Sequence, residues 1–524
     1  MNISLTGPEW TFSNNVWVKG FIRIKDKYLS GNDLLSYFRD VVSESVFEKK
    51  LTDANGLFSV VVHSGNETWA AVDHLRNYPL YYSFINSEYH LTDDCNYLAE
   101  KITGLELDPI AVQCFLSSGF TLNNTTIFRN LYQIEAGELV VFKNSVVRRF
   151  YCSYELNDVS HNGLNESVNN LTELLHQVFS NHFKSLSGRF FVIPLSGGYD
   201  SRLVAAMCSL YHKSNVLCIT YGSENNREVK PAGEISKRLG LQWLNIIYDR
   251  KLTGDFINDG YFRKYYEEVS GFTSMFYMQD YFAVRYLREN NLIPDDAVFM
   301  PGFSGDSLAG SFFRKSFMKD NTTEKIAGHI FRNKFALIPV KGTLRKEIIK
   351  LITEKINQNA QYLWKNYENW EIKEIHAKLI VNSAKAFSFF GYDYVFPLFD
   401  KELTDYFTSL PFEFKLNKKL YDKTLTENIF RDLGINLASE LNPSMRSKTY
   451  QDFKERTKRY LPLTLINKFI ELKSPLFYDE ITKPLRRNIP EGQLINPSQA
   501  NYYNAYLTQW YLWRIKEKFN LVND

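Results

Sequence analysis

Along roughly the first 155 residues the apolar positions come in short runs broken by turn residues. NGLFSVVVH, TWAAVDH, YYSFI, ELVVFKN and VVRRFY are rich in β-branched and aromatic residues and are separated by Asn, Gly and Asp. They predict an antiparallel sheet domain with few long helices. The polar stretch ELNDVSHNGLNES then interrupts the pattern and reads as a linker. Beyond it the period changes. Val168, Leu171, Leu174, Leu175, Val178, Phe179 and Phe183 recur at helical spacing and predict an amphipathic helix over 166–186. RFFVIPL, SRLVAAMCSLYHK, NVLCITYG, NREVKPAGEISKRLG and LQWLNIIYD follow as strand, helix, strand, helix and strand. That alternation predicts a parallel sheet with helices on both faces and ligands beyond the carboxyl ends of its strands. From about residue 260 the pattern is mostly helical. The last helix carries Tyr503, Leu507, Trp510 and Trp513 on one stripe, which reads as core packing.

At 524 residues the chain exceeds what one hydrophobic core supports, so at least two domains are expected. With 44% hydrophobic and 23% charged residues it has a globular composition. Apolar runs such as FSVVV and ELVVF fall far short of the ~20 residues that span a bilayer, so no membrane association is expected. MNISLTGPEWTF lacks the basic and apolar regions of a secretory signal, and the expected location is cytoplasmic. The net charge of +3 comes from mixed charges without a basic block, so no nucleic-acid partner is expected. Five cysteines form no C-x-x-C pair and no zinc spacing and read as reduced and structural.

The candidate chemistry begins at FVIPLSGGYDSR, residues 191–202. A buried strand ends in two glycines, which let a ligand approach the backbone, and the N–H groups of the loop and of the first helical turn then face outward as anion donors. Ser196 and Ser201 add hydroxyl donors. Asp200 would repel phosphate unless it holds a divalent cation; Mg²⁺ is usually held by one or two carboxylates together with substrate phosphates. A second strand-to-loop passage, AVFM into PGFSGDSLAG, delivers Asp306, and two strand ends with one acid each suit a shared metal. No G-x-x-x-x-G-K-[ST] occurs, which excludes a Walker-type phosphate site. Taken alone, the loop has a structural alternative as a Gly-Gly turn with Asp200 capping a helix, and the second acidic loop weighs against it.

SGGYDS resembles the pyrophosphate loop of the ATP pyrophosphatases, and its position after a β-rich domain resembles the asparagine synthetase family. NGLFSVVV, VDHLRNYPLYY and TIFRNLYQIEAGELVVF are similar to that family's N-terminal amidotransferase domain in order and spacing, PGFSGDSLAGS to its second nucleotide and metal loop, and GYDYVFPLFDKELTDYFTSLPFEFK to a later family segment. The resemblance implies an α/β protein. A degenerate glutamine amidotransferase type 2-like domain of the Ntn-hydrolase-like antiparallel kind would occupy 1–155. A doubly wound parallel-sheet ATP pyrophosphatase domain with a helical C-terminal part would occupy 160–520. It implies ATP as substrate, Mg²⁺, and amide synthesis through an acyl-adenylate. Leu195, Tyr221 and Gly222, with Pro301 and Gly302, would line the adenosine. Ser196, Gly197, Gly198 and Ser201 would hold pyrophosphate, and Asp200 and Asp306 would bind Mg²⁺. Lys423, Arg446 and Lys448 fit the family's late basic positions beside the phosphates, with a solvated surface charge as the alternative for each. The expected partners are a small-molecule or peptide carboxylate and an amine or ammonia; a homodimer is compatible with the resemblance.

Two positions depart from the family pattern. Glutamine-using members carry a cysteine directly after the initiator Met; here Asn2 stands there, and no cysteine precedes Cys95. A nucleophile of this kind needs a thiol or hydroxyl beside a base, so no glutaminase activity is expected. Phe303 stands where asparagine synthetases place a glutamate and β-lactam-forming relatives a tyrosine, leaving Asp393 and Tyr394 as weak candidates for the missing base. These losses favour a diverged relative that joins ammonia or an amine to an activated acid, resembling synthetase-like proteins of surface-polysaccharide pathways; GYDSRL, with Arg202, and GFSGD carry that preference. Lasso-type peptide cyclases, tRNA-modifying enzymes with the same loop and a non-catalytic protein are the alternatives.

Overall fold

The computed structural model describes residues 1–524 apart from 8, 26, 161, 213, 316, 318–321, 438–476, 499–502 and 522–524. The N-terminal part folds as two stacked sheets. One has the order β1-β8-β7-β9, made of Asn2–Ser4, Glu88–Thr92, Tyr81–Ile85 and Leu131–Gln133. The other has the order β11-β10-β6-β5-β3-β2, made of Val146–Phe150, Glu138–Phe142, Glu67–Val72, Asn55–Ser64, Val16–Ile24 and Thr11–Ser13, with β4 (Lys27–Ser30) also paired to β3. Strand alternation decides what lies where. Val61, Ala70, Val72, Val140 and Phe142 point into the space between the sheets, where they meet Leu80, Tyr82 and Leu91. Their neighbours Phe58, Val60, Val62, Trp69, Ala71, Leu139 and Val141 face the opposite way, onto α1 (Gly31–Arg39) and α2 (Glu44–Asp53).

After α5 (Leu164–Ser185) comes a five-stranded, all-parallel sheet of order β14-β13-β12-β15-β16. Its strands are Phe191–Pro194 (β12), Val216–Gly222 (β13), Gln242–Ile247 (β14), Val298–Phe299 (β15) and Asp393–Tyr394 (β16). The chain builds outward from β12 through α6 (Tyr199–Tyr211) and α7 (Val229–Leu239) to β14, then returns to the other side of β12 for β15. The sheet order reverses between β12 and β15, and in open α/β sheets such a switch point is where the strand ends part and leave a ligand crevice. β12 and β13 are buried almost throughout, as expected of central parallel strands. Later helices cover the rest, and the helix Tyr503–Lys518 buries Leu507, Trp510 and Ile515 against the main core.

The two halves meet around Asp400. Its carboxylate accepts from Asn55 Nδ2 at 2.9 Å and pairs with Arg23 at 3.2 Å and His182 at 3.4 Å. Burial opposes its ionisation, yet His182, Arg23 and Asn55 together hold it down at about 2. His74 makes a second tie, with Nε2 at 2.9 Å from the Phe399 carbonyl.

Candidate active site

Two loops leave the strand ends at the switch point. In the first, Leu195 is still held by the sheet: its N–H donates to Ile219 O at 2.7 Å, and its carbonyl accepts from Thr220 Oγ1 at 2.8 Å. The chain then turns. Ser196 N donates to Ser201 Oγ at 3.0 Å, the two hydroxyls lie 2.9 Å apart, and Gly198 N donates to Ser196 Oγ at 3.1 Å. Gly197 N donates to Glu228 Oε2 at 2.6 Å, so a carboxylate from the start of the next crossover already sits on a loop amide. This is the preference for anions that the turn and the N-terminus of α6 create. Gly197 admits no side chain, since a Cβ would lie 2.9 Å from Pro231 Cβ. Arg202, fully buried, braces the loop from behind by donating to the carbonyls of Gly197 and Ile435. Its guanidinium lies over Phe430 at 4.9 Å and Tyr199 at 5.2 Å.

The second loop, after β15, touches the first directly. Asp306 N donates to Asp200 Oδ2 at 3.0 Å, and Tyr421 Oη donates to Asp200 Oδ1 at 2.8 Å. A Cβ on Gly302 would stand 2.4 Å from Ser201 N, and one on Gly305 would stand 3.1 Å from Asp200 Oδ1. Gly302 is therefore required by the approach of backbone to backbone, whereas at Gly305 the space is taken by side chains, Tyr421 Oη at 2.5 Å foremost. Burial first, and the neighbouring Asp306 charge second, push Asp200 up to about 7. Neither carboxylate has an ion-pair partner among the described residues. Two acids drawn together without a cation suit a divalent ion that takes its remaining ligands from phosphate and water. No group of three or more metal-ligating side chains occurs among the described residues.

Behind Asp306, Ser307 Oγ lies 2.9 Å from His376 Nε2. His376 is buried on a π-helical segment, Glu371–Ile380, and burial together with Lys334 pushes it down to about 3, so the imidazole is neutral. Its Nδ1 has no hydrogen-bond partner among the described residues.

Other expected residues fall less directly on the site. The Tyr221 side chain turns into the core, donating to Asp280 and stacking on Tyr248 at 5.6 Å, while its carbonyl accepts from Asn226 Nδ2 at 2.9 Å. Gly222 has φ 137° and gives its carbonyl to Tyr248 N at 2.7 Å. Any ligand contact from this strand end comes from its edge and not from the tyrosine ring. Pro301 is buried and Gly302 half-buried beside Ser201. Lys423 pairs with Glu427 at 2.7 Å on its own helix. A second cation, Lys418, pairs with Asp422 at 3.2 Å, lies over the Tyr199 ring at 5.3 Å, and its charge lowers the Asp200 pKa. No sequence motif marked Lys418; it is aimed by two left-handed residues, Asn417 and Lys418 at φ 56°, that separate two helical turns. Glu228 was also missed, because the residue that meets a loop amide across a crossover has no fixed spacing. Arg446 and Lys448 lie outside the described residues.

The substitutes considered for a base near Phe303 do not serve. Asp393 is exposed and pairs with Arg189 at 2.7 Å. Tyr394 is half-buried, and desolvation raises its hydroxyl pKa further from neutrality. Phe303 instead packs 6.0 Å from Phe396, which in turn lies 5.2 Å from Tyr394. At the N-terminus Asn2 pairs in β1 with its side chain exposed, the α-amino group of Met1 is held 2.7 Å from Glu88, and all five cysteines are buried.

Residues 187–434 match the asparagine synthase family model. No curated protein matches the chain. Among solved structures the chain is similar to an NH3-dependent NAD synthetase from Campylobacter jejuni, at 16% identity over 36% of this chain and 94% of that one, with a TM-score of 0.21. It is also similar to the glutamine phosphoribosylpyrophosphate amidotransferase from B. subtilis, at 8% identity over 46% and 73%, with a TM-score of 0.20. The likeness therefore rests on the family match, which spans just under half of the chain and includes both loops. What is shown is thus a region, residues 187–434, that is similar to asparagine synthase and holds both loops.

Proposed function

We propose that the protein activates a substrate carboxylate as an acyl-adenylate and passes the acyl group to ammonia or an amine. A carboxylate oxygen attacks the α-phosphorus of ATP and pyrophosphate leaves. The amine nitrogen then attacks the acyl carbon, AMP leaves with the bonding pair, and the amine loses its proton to solvent. Ser196, Gly197, Gly198 and Ser201 bind pyrophosphate through N–H and hydroxyl donors, with the Gly197 amide exchanging Glu228 for a phosphate oxygen. Asp200 and Asp306 hold Mg²⁺, which supplies charge neutralisation when bound. Lys418 adds positive charge at the loop. Leu195, Tyr221, Gly222, Pro301 and Gly302 border the nucleoside. The observation that carries this reading is the contact of the two loops at the switch point, where Asp306 N meets Asp200 Oδ2 at 3.0 Å.

The aromatic packing at Phe303, Phe396 and Tyr394 supports a nitrogen donor that enters from solvent and is free of a protein base at that position. Asn2 supports the same conclusion, since without a thiol the N-terminal domain releases no ammonia. The test is ATP–pyrophosphate exchange by the full chain with Mg²⁺ and a panel of uronic acids, amino acids and a propeptide. Acid-dependent exchange that Asp200→Asn abolishes supports the reading. Exchange with a propeptide alone would make the protein a peptide cyclase, and no exchange with any acid would make it a non-catalytic relative.

A further inference from the structure

Next to the two metal-binding carboxylates lies a side-chain pair that the proposed reaction leaves unused. His376 is 1% exposed, and its ring packs 4.7 Å from Phe399. Its one hydrogen-bond contact among the described residues joins Nε2 to Ser307 Oγ at 2.9 Å, while Nδ1 meets no partner there. The segment that carries it, Glu371–Ile380, is wound as a π-helix, a rare geometry found frequently at functional sites. Ser307 directly follows Asp306 in the single helical turn Gly305–Leu308, which is pinned to the first loop where Asp306 N donates to Asp200 Oδ2 at 3.0 Å. Ser307 is only half-buried, so a fully buried ring holds a residue that solvent still reaches.

The direction of that hydrogen bond follows from the surroundings of the ring. Buried against a hydroxyl and an aromatic ring, with no carboxylate paired to it, the imidazole is neutral and carries a single N–H. On Nδ1 that proton would be a buried N–H without an acceptor. On Nε2 it is met by Ser307 and the orphan is a lone pair, the commoner kind of unmet group among buried backbone atoms. Nε2–H therefore donates to Ser307 Oγ. The serine's own proton has no acceptor among the described residues and is left to point away from the ring. The proposed chemistry lacks such a donor at one place. In an in-line displacement the entering acid and the departing pyrophosphate lie on opposite sides of the α-phosphorus. Ser196, Gly197, Gly198 and Ser201 are taken up by pyrophosphate, and the acid has no donor of its own. We propose that Ser307 donates a hydrogen bond to a carboxylate oxygen of the acid substrate, with His376 as the residue that positions it. This rests on the adenylation reading and adds to it the side chain that recognises the group being activated.

Two measurements test it. In the full chain carrying nitrogen-15 histidine, NMR at neutral pH should show the His376 ring, identified by its loss in His376→Gln, protonated on Nε2. The Nδ1–H form would mean that Ser307 donates inward to the ring, and it would overturn the proposal. In ATP–pyrophosphate exchange with Mg²⁺ and an acid that supports it, Ser307→Ala should raise the acid concentration for half-maximal exchange about tenfold or more, the effect of losing one hydrogen bond to a charged group. The ATP dependence should stay nearly unchanged, and Ser307→Thr should restore most of the affinity for the acid. His376→Leu should resemble Ser307→Ala, whereas His376→Gln, which keeps a side-chain N–H, should be milder. Ser307 is half-buried, so its truncation tests the contact even if His376→Leu fails to fold. An unchanged acid dependence in Ser307→Ala, or a shift in the ATP dependence alone, overturns the proposal and leaves adenylation standing. A wild-type chain that exchanges with no acid overturns both.

Discussion

Replacing Asp200 by Asn should make the metal-free protein more stable while abolishing its chemistry, and the size of the gain should depend on pH in a defined way. An aspartate in the unfolded chain ionises near its ordinary value of 3.8, whereas Asp200 in the fold holds its proton up to about 7. Between those values the native state binds the extra proton, so stability falls as pH rises, and above about 7 the full penalty is present. At about 1.4 kcal/mol per unit, roughly three units amount to about 4 kcal/mol. Asn keeps the size of the side chain but donates where the carboxylate accepted from Asp306 N or Tyr421, a loss of about 1 kcal/mol. The variant should therefore gain about 3 kcal/mol at pH 8 in EDTA, and its advantage should shrink by about 2–3 kcal/mol on going to pH 5. Urea unfolding of both proteins at the two pH values, followed by a signal from the C-terminal half, measures this. An advantage of equal size at both pH values would refute the claim that Asp200 is a carboxylate forced to share its site with Asp306.

Other expectations follow from the same geometry. Gly302→Ala places a Cβ 2.4 Å from Ser201 N, so the loops must part; overpacking of this kind costs about 1–3 kcal/mol, and ATP–pyrophosphate exchange should fall by about 100-fold. Tyr421→Phe removes a hydrogen bond that lowers the Asp200 pKa, so the acid limb of the Mg²⁺-dependent pH profile should move to higher pH, with little change where Asp200 is already ionised. Incubation of the pure protein with glutamine should release no glutamate, because Asn2 offers no nucleophile; robust release would contradict this. Arg202→Ala should cost more than about 2 kcal/mol through the lost brace on Gly197 and the cavity left beside Phe430, and should weaken nucleotide binding in parallel.

Much of this was legible in the sequence because local patterns dictated it. The β-branched run NGLFSVVVH marked a strand of an antiparallel sheet, and the β-α-β-α-β run from Phe191 pointed to a parallel sheet with its loop at a strand end; that Phe58, Val60 and Val62 face one apolar layer and Val61 another came only from the structure. SGGYDS and PGFSGDS could be paired only as two strand ends with one acid each; that they touch through Asp306 N and Asp200 Oδ2 depends on the strand order, which periodicity does not encode. Partners set by tertiary contact were invisible for the same reason. Glu228 reaches Gly197 across a crossover, Lys418 is aimed by a left-handed kink, and Lys423, which the motif favoured, is captured by its helical neighbour Glu427. Asp393 had the right chemistry for a base, but strand pairing delivers it to the surface beside Arg189.

The ties at Asp400 have a mechanical consequence. Arg23 and Asn55 belong to the N-terminal sheet, His182 to α5, and Asp400 to the C-terminal half. Sliding one half over the other strips the buried carboxylate of Arg23 and Asn55 together, leaving only His182 from its own half, so the junction resists shear until it fails in one step. Pulled from its two ends in an optical trap, the protein should show the halves separating in a single abrupt event, and Asp400→Ala should turn that event into gradual slippage at lower force.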